Sequence, residues 1–217
     1  MSTRQVVVVG AGGHAVSVAE SVLAAGYELV AFTSIDLSTP VLLGRPVLPE
    51  VPEDHVDSGG LVVVAVGDNA SRERVWGVVS ARVPFGQLPS LVHPSASVSA
   101  LASVGPGTVI LQGAVVGSAA RVGAACLLNS GSILEHEGTM ADFSSLAPGA
   151  VTGGRVTIGW GSAIGIGAVV RHGVSIGRDT VIGSASYVHE DVPPEVVAYG
   201  TPARVVRQRR HGDPYLG

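Results

Sequence analysis

Lysine is absent from this chain of 217 residues, and all 13 basic residues are arginine. We read this as a bias of composition and not as function. A single cysteine, Cys126, excludes an internal disulfide and a cysteine-based zinc site. Charge is scarce, at 14% of residues with a net charge of −4, so no basic footprint points to nucleic acid. Between Arg82 and Glu135 only Arg121 is charged. A hydrophobic fraction of 46% suggests a membrane protein until its distribution is read. The region from Val83 to Leu134 is full of Gly, Pro and Ser, and no stretch supplies the roughly 20 apolar residues that a spanning helix needs. The apolar run in MSTRQVVVVGAGG is too short for the core of a signal peptide and flows into a Gly-rich turn. A soluble cytoplasmic protein is expected, with neither membrane nor nucleic acid as a partner.

What is present falls into two halves with different periods. Residues 1–84 alternate strand and helix. QVVVVG (5–10) and LVVVAVG (61–67) are apolar runs typical of buried parallel strands, and ELVAFT (28–33) is a third. HAVSVAESVLAAG (14–26) predicts a helix stopped by Gly26, and NASRERVWGVVSA (69–81) predicts another with Asn69 as its N-cap. A weaker extra strand falls near Val41–Leu48. This is about half of a dinucleotide-binding fold. In GAGGHA, the backbone of Gly12, Gly13 and His14 opens a helix where a phosphate would sit. Gly67, Asp68 and Asn69, after the strand at 61–67, would line the same mouth. A nicotinamide dinucleotide wants an acid at the end of the second strand. Thr33 and Ser34 stand there instead, and Asp36 is the nearest acid. That absence and the half-size domain argue against NAD.

From Val92 every sixth residue is apolar, through Val98, Val104, Ile110 and onward to Val188. Of these seventeen positions, sixteen are aliphatic or Met, and only Thr152 is not. Four residues after each lies a mostly small one, such as Ala96, Thr108 and Cys126. An unbroken period of six with large and small inward residues predicts a parallel β-helix, in which three hexads make one triangular coil. Seventeen hexads give nearly six coils, about 27 Å tall at strand spacing. The expected organisation is an α/β Rossmann-like half domain at 1–84, a β-helix at 85–193, and a cap and tail at 194–217. Pro193 and Pro194 break the repeat where the cap begins. The period does not fix the hand of the coil.

The quoted motifs resemble those of the hexapeptide-repeat sugar acyltransferases related to the bacillosamine-pathway and sialic-acid-associated acetyltransferases. The resemblance spans nearly the whole chain: VVGAGGHA, AVGDNASR (65–72), LVHPSA (91–96), LLNSGSILEHEG (127–138), DFSSLAPGA (142–150) and YGTPARVV (199–206). It implies a left-handed β-helix, the opposite of the usual crossover preference. It also implies a homotrimer, acetyl-coenzyme A as co-substrate, no metal, and a nucleotide-linked amino sugar as acceptor. His136 falls on the family's general base, and Glu137 on the acid that orients it. Asn129 matches a polar position beside the acceptor. Ser145, Gly165, Ile166 and Ser184 would follow the acyl-coenzyme A. Gly200, Pro202 and Ala203 would lie near its adenine end, with Arg204 or Arg207 at its phosphates. Two departures stand out. Some relatives carry a second His where this chain has Ser145. The family often has an Asp pair where Thr33 and Ser34 stand, so either hydroxyls and Asp36 rebuild the ribose contacts or the acceptor is not the usual UDP-sugar.

The residues themselves permit the chemistry. Acyl transfer to an amine needs a base, an oxyanion donor and aligned reactants. His136, in ILEHEG (133–138), is the third residue of its hexad, an outward corner position. Eighteen residues on, in the next coil, lies Gly154, where the missing side chain admits a thioester to the backbone N–H. His136 between Glu135 and Glu137 is otherwise a solvated ion cluster. His172, two coils above, would line the coenzyme groove, while His93 and Cys126 read as structural and Trp160 as a subunit contact. Two other functions remain open at this stage. One is acyl transfer to a free amino sugar or other small amine. The other is a non-catalytic β-helix for assembly or metal binding, against which His136 and His172 stand roughly 9–10 Å apart.

Overall fold

The computed structural model describes residues 4–215. The first half is a five-stranded sheet of β1 (Gln5–Val9), β2 (Glu28–Thr33), β3 (Val41–Leu42), β4 (Arg45–Leu48) and β5 (Leu61–Val64), in the order β3-β4-β2-β1-β5. All neighbours are parallel except the β3–β4 hairpin. The valine runs of β1 and β5 have no polar alternation because both faces are covered. Helix α1 (Gly13–Ala24) packs on one face. The short helix α2 (Glu53–Asp57) and α3 (Asn69–Ser80) lie on the other. Five residues are too few to show a helical period, so α2 left no signal in the sequence. The weak strand at 41–48 is a hairpin, and β4 joins β2 through Phe32–Val47 and Thr33–Leu48. Asn69 is not the N-cap of α3. Asp68 takes that place, its carboxylate accepting the Ser71 N–H at 2.8 Å.

From Leu91, seventeen two-residue strands follow at intervals of six, ending at Tyr187–Val188. The second residue of each is the apolar hexad residue. Every strand pairs in parallel with those 18 residues away, as Val115 with Ile133. Three faces result. The first carries Leu127–Leu128 and Ser145–Leu146, the second Ile133–Leu134, and the third Thr139–Met140. The inward residues form one continuous core from Ile110 to Val188. Each fully buried Leu or Ile there contributes about 1.5–3 kcal/mol. Thr152, the one polar member of the series, is buried and its Oγ1 accepts the Glu135 N–H at 3.1 Å. A buried hydroxyl with a partner costs little.

The corners share one conformation. The fourth residue of each hexad from Gly107 to Asp179 and Ala185 has φ between about +47° and +72°. Non-glycine residues in this region carry a cost of roughly 1–2 kcal/mol. Glu137, at φ +56°, is one of them. At the corner between the third and first faces, Thr108, Cys126, Ser144, Ser162 and Thr180 stack 18 residues apart. Their hydroxyl and thiol groups bond into the coil, as Thr108 Oγ1 to Gly123 O at 2.7 Å and Ser162 Oγ to Gly177 O at 2.6 Å.

The α/β layer docks on the first face, where Leu91, Val109, Leu111 and Leu127 share a core with α1 and the sheet. Arg72 seals the seam. It is fully buried and donates to the carbonyls of Val66, Gly67, Ala125 and Phe143 and to Asn69 Oδ1. The hairpin Val196–Gly200/Ala203–Gln208 continues the first face beyond Val181–Ile182. Among the described residues no helix is long and apolar enough to cross a membrane.

Candidate active site

His136 lies at the corner between the second and third faces. Its carbonyl accepts the Arg155 N–H from the coil above, and the Ser118 carbonyl below accepts the Glu137 N–H. The two carboxylates that flank it have different partners. Glu135 accepts the His136 backbone N–H at 3.1 Å, and Glu137 faces Nδ1 of the ring at 3.1 Å. The left-handed backbone of Glu137 turns its side chain back onto the ring. With Nδ1 bonded to Glu137, Nε2 is the ring nitrogen without a partner among the described residues. The ring lies against Gly154, where a Cβ would sit 2.3 Å from both Cε1 and Nε2. No side chain fits at 154 with the ring in this position. Among the described residues nothing accepts the Gly154 N–H. His136 and Glu137 are about half exposed in the single chain.

Two cavities lie elsewhere. One of about 850 Å³ opens at the carboxyl ends of β1 and β2, beside α3. Thr33, Ser34 and Asp36 line it, with Gly10, Glu50 and Arg74. Gly10, at φ +126°, has to be glycine, since a Cβ would meet the Ala65 carbonyl at 2.6 Å. Asp36 accepts the Ser38 N–H at 2.9 Å, which holds its carboxyl below the usual range. The mouth sits where strand order reverses between β1 and β5, the usual ligand position of such sheets. The second cavity, about 310 Å³, lies between the α/β layer and the first face. His14, Gly67, Asn129, Ser145, Gly165, Ile166 and Ser184 all border it. Burial, and then the Arg72 charge, push the His14 pKa down to about 4, so its ring is neutral at pH 7.

The residues expected to bind the acceptor are therefore split. Thr33, Ser34 and Asp36 face the larger cavity. His14, Gly67 and Asn129 face the smaller one, together with the expected coenzyme residues. Gly12 and Gly13 open α1, with the Gly12 carbonyl accepting the Ala15 N–H. Asp68 caps α3, and the Asn69 amide donates to the carbonyls of Gly161 and Ser162. Gly200, Pro202, Ala203 and Arg204 lie on the terminal hairpin, which packs over Gly183 at the upper end of the smaller cavity. His136, Glu137 and Gly154 border neither cavity. Within one chain the whole second face separates them from Asn129 and Gly165.

The PglD N-terminal domain family matches residues 5–78. The acetyltransferase domain of PglB from Neisseria gonorrhoeae FA1090 is 30% identical and superposes with a TM-score of 0.86, over 94% of this chain and all of that one. It has also been solved in complex with acetyl coenzyme A. The chain belongs to the PglD-type sugar N-acetyltransferases. PerB from Caulobacter crescentus, solved with CoA and GDP-perosamine, is 30% identical over 95% of this chain and 99% of that one, with a TM-score of 0.85. WeeI from Acinetobacter baumannii AYE, 24% identical over 94% and 100% of the two chains, shares the fold with a TM-score of 0.83. No curated protein sequence matches. This PglD-type chain is thus an acyltransferase on a left-handed β-helix.

Two parts of the acetyltransferase had no assigned role in the sequence reading. Arg72 ends the quoted AVGDNASR stretch, and only its fully buried setting reveals the clamp between the α/β layer and the β-helix. The other part is the C-terminal segment, expected only as a tail. It runs down the corner between the third and first faces, and Tyr215 reaches the smaller cavity. Trp160, expected at a subunit interface, packs within the chain between Phe143 and His211.

Proposed function

We propose that this acyltransferase moves an acetyl group from acetyl-coenzyme A to the amine of a nucleotide-linked amino sugar. The observation that carries the reading is the His136 ring, held by Glu137 on one side and lying against Gly154 on the other. His136 Nε2 takes the proton from the amine as its nitrogen attacks the thioester carbonyl. Glu137 keeps the proton on Nδ1 and stabilises the imidazolium that forms. The Gly154 N–H donates to the oxyanion of the tetrahedral intermediate. As that intermediate collapses, the C–S bond breaks and the imidazolium returns its proton to the departing sulfur.

In this reading residues 1–84 bind the acceptor, 85–193 carry acyl transfer, and 194–217 are the cap and tail. The nucleotide lies in the larger cavity at Thr33, Ser34 and Asp36. The coenzyme follows Ser145, Gly165, Ile166 and Ser184 towards the hairpin residues Gly200, Pro202, Ala203 and Arg204. The complexes of PglB with acetyl coenzyme A and of PerB with CoA and GDP-perosamine support these two classes of ligand. The separation of His136 from the smaller cavity supports a homotrimer in which the His136 corner of one subunit meets the cavity of the next. A panel of UDP-, GDP- and dTDP-linked amino sugars with acetyl-coenzyme A, read by mass spectrometry, tests the reading. One acceptor should gain an acetyl group, and His136→Ala should lower turnover by about 10²-fold or more. Near-normal turnover in that variant would sink the assignment.

A further inference from the structure

The C-terminal segment is a strap with several anchors. Arg209 is buried, and its guanidinium donates to the carbonyls of Asp179 at 3.3 Å and Asp213 at 2.7 Å. The same guanidinium lies 5.6 Å over the Tyr215 ring. His211 meets Asp179 at 2.9 Å and Glu73 at 3.3 Å, and its ring packs against Trp160 with centroids 5.2 Å apart. The strap thereby ties the β-helix to α3. At its end the Tyr215 hydroxyl accepts the Asn69 N–H at 3.2 Å, and its side chain borders the smaller cavity. Burial raises the phenol pKa, so the group is neutral at pH 7.

The cavity it borders is long and uneven. Its wall climbs from Asn129 through Ala147 and Gly165 to Gly183, three coil steps or about 14 Å. The upper part is mostly glycine and aliphatic, with Gly165, Ile166 and Gly183, and carries the hydroxyl of Ser184. Asn129 and Ser145 lie in the lower coils of this wall, His14 also borders the cavity, and Tyr215 stands beside Ser145. A coenzyme arm entering from the hairpin end would bring its acyl group among these neutral polar side chains. Ser145 is too small to close that end alone.

We propose that Tyr215 walls the polar end of this cavity and restricts the acyltransferase to short acyl groups. The inference rests on the reading of the cavity as the acyl-coenzyme A groove. The anchors at Arg209 and His211 explain why the ring does not simply yield to a longer chain. Removing the ring opens space beside a cavity of only about 310 Å³, and added methylenes in such a pocket change selectivity by roughly 10–200-fold.

The test compares kcat/KM for butyryl- and acetyl-coenzyme A in the full-length wild type, Tyr215→Ala and Tyr215→Phe, with the acceptor that the wild type uses. Tyr215→Ala should raise the butyryl-to-acetyl ratio about tenfold or more. Tyr215→Phe keeps the ring and should leave the ratio within about twofold of wild type. An unchanged ratio in Tyr215→Ala overturns the proposal, as does a shift in Tyr215→Phe as large as that in Tyr215→Ala. If the wild type transfers no acyl group from either thioester, the underlying reading fails and the proposal falls with it.

Discussion

Gly154→Ala tests the close packing of the proposed base, His136, and of the thioester against Gly154. The added methyl would lie 2.3 Å from His136 Cε1 and Nε2, whereas carbon contacts are favourable near 3.5–4.0 Å. The ring must therefore retreat by about 1 Å or more. Its own chain does not prevent this, since the side chain is 51% exposed in the single chain. Gly154 does not occupy the left-handed region, so its backbone accepts alanine and the stability change should stay under about 1 kcal/mol. The Gly154 N–H survives the substitution, so the oxyanion donor is unchanged. What changes is the place of the proposed base and the thioester's path to that N–H, and a displacement of about 1 Å at a reacting group costs on the order of 10²-fold. The assay is steady-state kcat at saturating acetyl-coenzyme A and acceptor, with a thermal melt of the same protein. A folded Gly154→Ala enzyme with kcat within about twofold of wild type would refute the steric argument.

Two further substitutions test the frame around the site. Arg72→Ala leaves the carbonyls of Val66, Gly67, Ala125 and Phe143 and the Asn69 Oδ1 without their buried donor. Denaturant unfolding should show a loss of about 3 kcal/mol or more, and a loss below about 1 kcal/mol would contradict the clamp. His14 has its pKa lowered to about 4 by burial and by Arg72, so the unfolded chain binds the extra proton more readily. The stability contributed by its neutral ring is full above about pH 6.5 and is lost as pH falls towards 4, by at most about 3 kcal/mol. Urea melts at pH 7 and 4.5 should show a smaller drop in His14→Gln than in wild type, and equal drops would contradict it.

The repeat was legible because each hexad puts one large side chain, with a small one four residues on, into the core, and the register never shifts. Its one exception also has a structural reason, since Thr152 meets the Glu135 N–H. His136 and Gly154 followed from the same period, because a spacing of 18 is adjacency in a three-hexad coil. The docking of the α/β layer was not legible. It depends on outward residues such as Leu91, Val109 and Leu127, whose pattern does not distinguish a covered face from a bare one. Asn69 was misread as a cap because an Asp and an Asn stand side by side and either can cap a helix. The strap was invisible because Tyr215 meets Asn69 across 146 residues, with no period linking the two. Trp160 followed from it, since its partner His211 lies on that strap.

The central claim is that His136 of one subunit serves the cavity of the next, and mixing two inactive variants tests it most directly. His136→Ala removes the base, and Ser145→Phe fills the smaller cavity. In a threefold ring with head-to-tail contacts, a one-to-one mixture reassembled at random restores about a quarter of the sites. Acetyl transfer should return to roughly that fraction of wild type. A mixture as inactive as its two parents would contradict a site shared between subunits.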